Sequence, residues 1–423
     1  MEKMITILGP TACGKTAVAT RLAALFATER EASRVSGGFP AEIISADSRQ
    51  VFRGMDIGTG KDLADYEVTI SPSSASPSSP SPASPSSASP SSASPSPASP
   101  SSASPSSVSP SSASPSSPSS ASASPVSPVE AVVPGGFPPG LPSGLPPVLH
   151  IPYHLIDIAE AGTKYSVFHF QRDFMRAYID IGSRARVPIL CGGTGLYIES
   201  VLRGYNLVEV PVNQPLRDEL EGKTLEELTA ILATYKRLHN TTDVDTARRA
   251  IRAIEIEEYY RQNGLSHSSS VPSAEVPPST PPAACGLVGG LPSPIPSITI
   301  GLDIPRDLRR QRITARLQRR LQEEHMTDEV QHLLDSGVPA EALLSYGLEY
   351  RYITLHLLGQ LSFDDMARQL EIAIHQFAKR QMTYFRGMER RGVNIRWIDA
   401  TSAPKDVADE IFGIFLASFK EKL

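Results

Sequence analysis

The sequence predicts an α/β fold, a parallel sheet with flanking helices, on three observations. Short apolar runs alternate with helical text along the chain, the pattern of a sheet covered on both faces. The first run ends in a glycine-rich turn that opens a helix. The prolines are segregated: of 38, 21 lie in 71–150 and eight in 264–297, leaving nine for the other 309 of 423 residues. A proline-poor remainder of that size can bury a full core.

The elements follow in order. Met4–Leu8 is an apolar strand ending at Gly9, and 16–26 reads as a helix. Residues 42–46 form a second strand with Asp47 at its end. Strands are expected at 154–158 and 187–191, the latter entering Gly192-Gly193 and a helix through 198–202. Ser297–Asp303 and 394–399 are two further strands. Residues 214–262 are almost all helical text, in the pieces 216–220, 225–238 and 246–260. They predict a small helical subdomain inserted into the sheet domain. A basic amphipathic helix, 307–324, follows.

Residues 71–128 repeat units close to Ser-Pro-Ser-Ser-Ala without one charged residue. Such text has almost nothing to bury, so a disordered or polyproline-like insert is expected. Residues 129–150 continue it, and 264–297 form a second Pro/Ser/Gly-rich insert. Loop expansion at a surface tip costs little closure entropy; a docking or modification tail is the alternative. The expected division is 1–70 and 151–210 as two parts of the core, with 71–150 as the Ser/Pro/Ala-rich insert between them. The helical subdomain is 211–263, the second insert 264–297, and 298–423 completes the core with a C-terminal helical region. Deleting 71–147 is expected to leave catalysis largely intact.

A formal net charge of −5 excludes a wholesale basic coat for nucleic acid, though not a local basic groove. Three cysteines, Cys13, Cys191 and Cys285, make no disulfide framework, so a cytoplasmic setting is expected. No stretch reaches the length of a membrane span, so no membrane partner is expected. Nothing demands an oligomer, and a monomer is expected. His150, His154, His169 and the cysteines show no metal-ligand spacing.

Gly9-Pro10-Thr11-Ala12-Cys13-Gly14-Lys15-Thr16 fits G-x-x-x-x-G-K-[ST], between a strand and a helix. Gly9 and Gly14 let the backbone wrap, so its N–H groups face a polyphosphate. The helix N-terminus adds partial positive charge. Lys15 supplies a full charge, and the Thr16 hydroxyl suits a phosphate oxygen or Mg²⁺. The fold is therefore P-loop NTPase-like. Cys13 reads as a small packing residue, or as a thiolate favoured by the helix N-terminus. Alone, the motif says only that a di- or triphosphate binds, which usually means ATP or GTP. Asp47 ends the second strand, where ligands of open α/β sheets sit. A magnesium-binding or structural carboxylate is its other reading.

The motifs resemble those of the tRNA dimethylallyltransferase family in order. After the phosphate loop come Asp47-Ser48-Arg49-Gln50-Val51-Phe52-Arg53-Gly54-Met55-Asp56-Ile57-Gly58-Thr59-Gly60-Lys61 and Gly192-Gly193-Thr194-Gly195-Leu196-Tyr197. Then follow Arg249-Ala250-Ile251-Arg252-Ala253-Ile254-Glu255, Gly347-Leu348-Glu349-Tyr350-Arg351 and the run from Ala378 to Arg386. The resemblance spans nearly all the chain outside the inserts. It departs at Cys13, where Ser is common, and at Gly60, where Ala is common.

The resemblance implies transfer of a dimethylallyl group from dimethylallyl diphosphate to N6 of the adenosine just 3′ of the anticodon. The tRNAs are those reading codons that begin with U. The phosphate loop then grips an isoprenoid diphosphate. Asp47 is the candidate general base, with Lys15, Thr16 and Mg²⁺ stabilising the leaving group. Arg312 and Arg316, spaced i,i+4, are candidates for an arginine on the far side; a solvated basic face is the plain alternative. The adenosine is expected to flip out of its stack. Asp47, Ser48, Arg49, Gln50, Arg248, Arg249, Ala250, Ile251 and Arg252 touch tRNA by family position. Thr194 is either a base or phosphate contact or an ordinary N-cap. Arg217 is a phosphate contact from the subdomain, and Lys379, Arg380, Arg386, Arg390 and Arg391 form a second basic cluster. The runner-up is a small-molecule kinase using ATP; a non-catalytic RNA-binding protein is the third class.

Overall fold

The computed structural model describes residues 4–28, 40–69, 148–238, 242–264 and 294–420. Its strands are β1 (Met4–Leu8), β2 (Ala41–Ser45), β3 (Glu67–Thr69), β4 (Val148–His150), β5 (Tyr153–His154), β6 (Val187–Gly192), β7 (Ser297–Asp303) and β8 (Ile395–Asp399). Six of them form one parallel sheet in the order β5-β2-β6-β1-β7-β8. β3 and β4 pair antiparallel beside it. β1 reads MITIL and is buried at all five residues, as a strand covered on both faces must be. Its side chains alternate: Ile5 and Ile7 join one core, Met4 and Leu8 the other.

The helices are α1 (Lys15–Thr28), α2 (Val167–Ser183), α3 (Gly195–Leu202), α4 (Gln214–Leu220), α5 (Leu225–Tyr235) and α6 (Ala247–Gln262), followed by α7 (Arg306–Gln322), α8 (Met326–Asp335), α9 (Ala340–Leu343), α10 (Leu348–Leu357), α11 (Phe363–Arg390) and α12 (Pro404–Lys420). α1 and α12 cover one face, where Phe26 meets Phe412 and Phe415 edge-on. α2, α3 and the C-terminal half of α11 cover the other. A third cluster joins α7, α8, α10 and α11 to Val51, Phe52 and Met55. α4, α5 and α6 bury their own cluster around Leu228, Leu232 and Ile254.

Three expectations shift. The strand at 154–158 is only Tyr153–His154, because Leu155 and Asp157 take positive φ (63° and 55°) and end the extension. Val148–His150, expected inside an insert, pairs with Glu67–Thr69. Helix α2 was not foreseen; Ser166 and His169 close a capping box at its start. The expected disorder of 71–147 and of 265–293 lies outside the described residues. Of the second insert, Ile295 is buried in the core.

Candidate active site

The C-terminal ends of β1, β2 and β6 converge on one cavity of about 140 Å³. The phosphate loop forms its floor. Gly9 has no room for a side chain: a Cβ would lie 2.7 Å from the Leu302 carbonyl oxygen on β7. Gly14 takes φ +83°, which glycine adopts without strain. Lys15 Nζ donates to the Pro10 carbonyl at 2.8 Å, so its charge lies over the loop. Cys13 is buried under the loop at 1% exposure, as a packing residue would be.

Asp47 leaves β2 in a tight turn. Its Oδ1 accepts from the Arg49 amide at 2.9 Å, while Oδ2 has no hydrogen-bond partner among the described residues. The Arg49 guanidinium donates to Glu349 Oε2 at 2.8 Å and lies 5.4 Å from the Phe377 ring centroid. Burial opposes that charge, but Glu349 and Asp47 outweigh it and raise the Arg49 pKa. Thr194 stands at the N-cap of α3 without capping it. Its hydroxyl accepts instead from the Ser48 amide at 3.1 Å, tying the ends of β2 and β6 together. Gln50 is buried; Oε1 accepts from Ser45 Oγ at 2.7 Å and Nε2 donates to the Gly60 carbonyl at 2.9 Å.

Across the cavity, α7 supplies Arg316, whose guanidinium donates to Thr11 Oγ1. Burial, helped by the neighbouring Arg320, lowers its pKa to about 10. Arg312, one turn earlier, does not line this cavity. From α11, Gln381 accepts from the Thr11 amide at 2.8 Å and donates to the Gly193 carbonyl at 2.9 Å. It bridges the phosphate loop to β6. Asp65 and Tyr66 line the same cavity as Thr16. Burial, with Asp62 adding to it, raises the Asp65 carboxyl.

The helical subdomain is a separate matter. Arg217 grips Glu255 with two hydrogen bonds, of 3.0 and 2.8 Å, and Arg252 reaches the same carboxylate and the Val210 carbonyl. Burial alone would raise the Glu255 carboxyl; the two arginines hold it below its ordinary range. Arg248 and Arg249 face outward, Arg249 pairing with Asp245 at 2.7 Å. Ala250 is fully buried and Ile251 packs on the subdomain core. None of these lines the cavity. Of the C-terminal cluster, Arg391 is spent on buried Glu199. Lys379 and Arg386, with Arg306 and Arg309, line a second cavity of about 600 Å³ at the ends of β7 and β8.

Sequence reasoning missed Arg320, Gln381, Glu349 and Phe377 as cavity residues. Gln381 and Glu349 lie inside motifs already noted. Arg320 continues the i,i+4 series of Arg312 and Arg316, the one signal available for it.

Loop amides, a lysine and buried guanidiniums facing one cavity at the carboxyl edge of a parallel sheet define the class: a P-loop α/β protein. The chain belongs to the IPP transferase family, whose model matches residues 148–388. It is 45% identical to tRNA dimethylallyltransferase 1 of Parabacteroides distasonis, covering 94% of this chain and 93% of that one. It is likewise 45% identical to tRNA dimethylallyltransferase 2 of Porphyromonas gingivalis strain W83, over 98% of this chain and all of that one. The fold is that of the full-length tRNA isopentenylpyrophosphate transferase from Bacillus halodurans, with TM-score 0.52 and 24% identity over 100% and 98% of the two chains. It also matches a eukaryotic dimethylallyltransferase acting on tRNA, with TM-score 0.56 and 16% identity over 95% and 75%.

Proposed function

We propose that this protein transfers a dimethylallyl group from dimethylallyl diphosphate to N6 of the adenosine 3′-adjacent to the anticodon. The tRNAs are those reading codons that begin with U. The observation that carries this reading is that Asp47, with one carboxylate oxygen free, shares a cavity with Lys15 and the phosphate loop.

The N6 lone pair is delocalised, so N6 attacks only as its proton is taken. Asp47 Oδ2 accepts that proton, the bond from N6 to the allylic carbon forms, and the carbon–oxygen bond to diphosphate breaks. Lys15, the loop amides and Arg316 meet the charge that develops on the departing oxygens. Thr16 and Asp65 offer hard oxygen donors beside the loop, a set that fits Mg²⁺. When bound there, the ion supplies positive charge to the diphosphate. The flat faces of Phe377 and Arg49 offer a stacking surface for a flipped adenine. Ser48 and Thr194 fix the shape of that corner through their bond, and Gln50 through its bonds to Ser45 and the Gly60 carbonyl. Outward-facing Arg248 and Arg249 meet tRNA phosphates, while Arg217 and Arg252 brace α6 through Glu255. We place the enzyme in the cytoplasm, acting as a monomer. Its free, buried thiols Cys13 and Cys191 suit a reducing compartment. No helix among the described residues is long and apolar enough to cross a membrane.

Radiolabelled dimethylallyl diphosphate with unmodified tRNA tests the reading. Label in tRNA, lost from an anticodon stem-loop lacking the target adenosine, is expected. Phosphate transfer from ATP without label in tRNA would establish a kinase instead. Asp47→Ala is expected to lower kcat roughly 10²- to 10⁴-fold; full activity in that variant removes the base assignment.

A further inference from the structure

Arg320 is a second guanidinium beside the phosphate loop, one turn beyond Arg316 on α7. It is 4% exposed and lines the same cavity. Its partners are few. Nη2 reaches the Asp62 carboxylate at 3.3 and 3.4 Å, near the limit of a hydrogen bond. Nε is buried and makes no hydrogen bond among the described residues; a Glu324 carboxylate oxygen is 3.8 Å away. Among the described residues, Arg316 beside it bonds only a hydroxyl, that of Thr11. Burying a guanidinium with donors unspent is costly unless something completes its shell. An oxygen-rich anion in this cavity does so for both arginines at once.

The chain makes room for this arginine. Gly60 takes φ +65°, and a Cβ there would stand 2.5 Å from Arg320 Nη2 and 3.1 Å from Nη1. A Cβ at 60 would push the Arg320 guanidinium out of this place, and φ +65° strains any side chain there.

We infer that Arg320, admitted by Gly60, binds the diphosphate group of the prenyl donor alongside Arg316. The inference rests on the reading of the cavity under Proposed function. Asp62 then holds the guanidinium loosely in wait, and the anion takes the donors that Asp62 leaves free.

Three variants test it, with inorganic diphosphate binding read by calorimetry and KM for dimethylallyl diphosphate read at saturating tRNA. Arg320→Gln is expected to weaken diphosphate binding at least tenfold and to raise that KM, with KM for tRNA unchanged. Gly60→Ala is expected to act in the same direction while keeping the arginine. Asp62→Asn is expected to leave diphosphate affinity unchanged or higher, because it frees Arg320. Were Arg320 merely a strut paired to Asp62, Asp62→Asn would weaken diphosphate as much as Arg320→Gln does, and the inference fails. It fails equally if folded Arg320→Gln binds diphosphate like the parent. Should Arg320→Gln not fold, Gly60→Ala with parental diphosphate affinity overturns the inference. Diphosphate binding needs neither tRNA nor donor. A parent that binds diphosphate through Arg320 yet prenylates no tRNA leaves this anion site standing and removes the functional reading.

Discussion

Two lysines stand in glycine-rich segments of similar text and are used in opposite ways. Lys15 follows Gly14 and is half-buried, bonded to one carbonyl of its own loop with a sulfur 4.0 Å off. Lys61 follows Gly60, is 1% exposed, and is consumed by the Phe52 carbonyl, Asp56 and Asp157. Around Lys61 the loop is satisfied throughout. Glu329 takes the amides of Asp56, Ile57 and Gly58 at 2.6–3.1 Å together with the Tyr350 hydroxyl. Around Lys15 donors remain unspent. The difference teaches that a motif's chemistry lies in which hydrogen bonds the fold leaves open.

The largest effect expected from this contrast is on Lys15. Lys15→Ala should lower the rate of prenyl transfer roughly 10²- to 10³-fold, as loss of a single leaving-group stabiliser does. Its thermal midpoint should stay at the parent's. Lys61→Met should do the reverse. It leaves the Phe52 carbonyl without its donor and two part-exposed carboxylates without their cation, costing roughly 1–2 kcal/mol of stability, read as a lower midpoint in urea. Activity per folded molecule should be kept. If Lys61→Met is stable but inactive, or Lys15→Ala unstable, the division between the two lysines is wrong.

Glu42 sharpens the same contrast within the sheet. It is buried on β2 and takes His154, Arg184 and Arg186. Burial would raise its pKa, but those three partners together lower it from 4.5 to about 2. A depressed folded pKa means stability that is whole above 4.5 and lost as the pH falls toward 2. Glu42→Gln should therefore cost on the order of 2–3 kcal/mol at neutral pH, with the gap to the parent closing as the pH falls toward 2. Urea unfolding at several pH values reads it. A gap independent of pH would mean that shape, not charge, is what Glu42 supplies.

Much of the frame could be read from the residues because local pattern decides it. The apolar run of β1, the loop after it and α1 are set by neighbours in sequence, and Asp47 follows from its place at a strand end. The subdomain's three helical pieces were legible too, since Thr224 and Glu227 form a capping box that marks α5. What stayed hidden depends on partners on other elements, distant in sequence. Gln381 is a cavity residue only because α11 reaches Thr11. Arg252 and Glu255 are i,i+3 neighbours that pattern can pair, but that Arg217 of α4 shares the same buried carboxylate shows only in the fold. Gly60 reads in the sequence only as a departure from Ala; the Arg320 guanidinium that lies where its Cβ would be belongs to a helix 260 residues on.

The smallest effect should come from the longest piece of text. β3 and β4 pair in the register Glu67–His150, Val68–Leu149 and Thr69–Val148. Paired residues of an antiparallel ladder lie about 5 Å apart, so the chain leaves and re-enters at one spot. The 78 residues of 70–147 are thus the connection of a hairpin. Closure cost grows only with the logarithm of length, so exchanging them for Asn-Gly relieves roughly 3 kcal/mol. Asp62, Asp65 and Tyr66 of the cavity stand just before β3, so a hairpin closed out of register would disturb catalysis at once. The shortened protein should unfold no earlier than the parent and prenylate tRNA within about twofold of its rate. A tenfold loss at an unchanged midpoint would mean that the serine–proline tract acts on the reaction itself, since the fold has no other need of it.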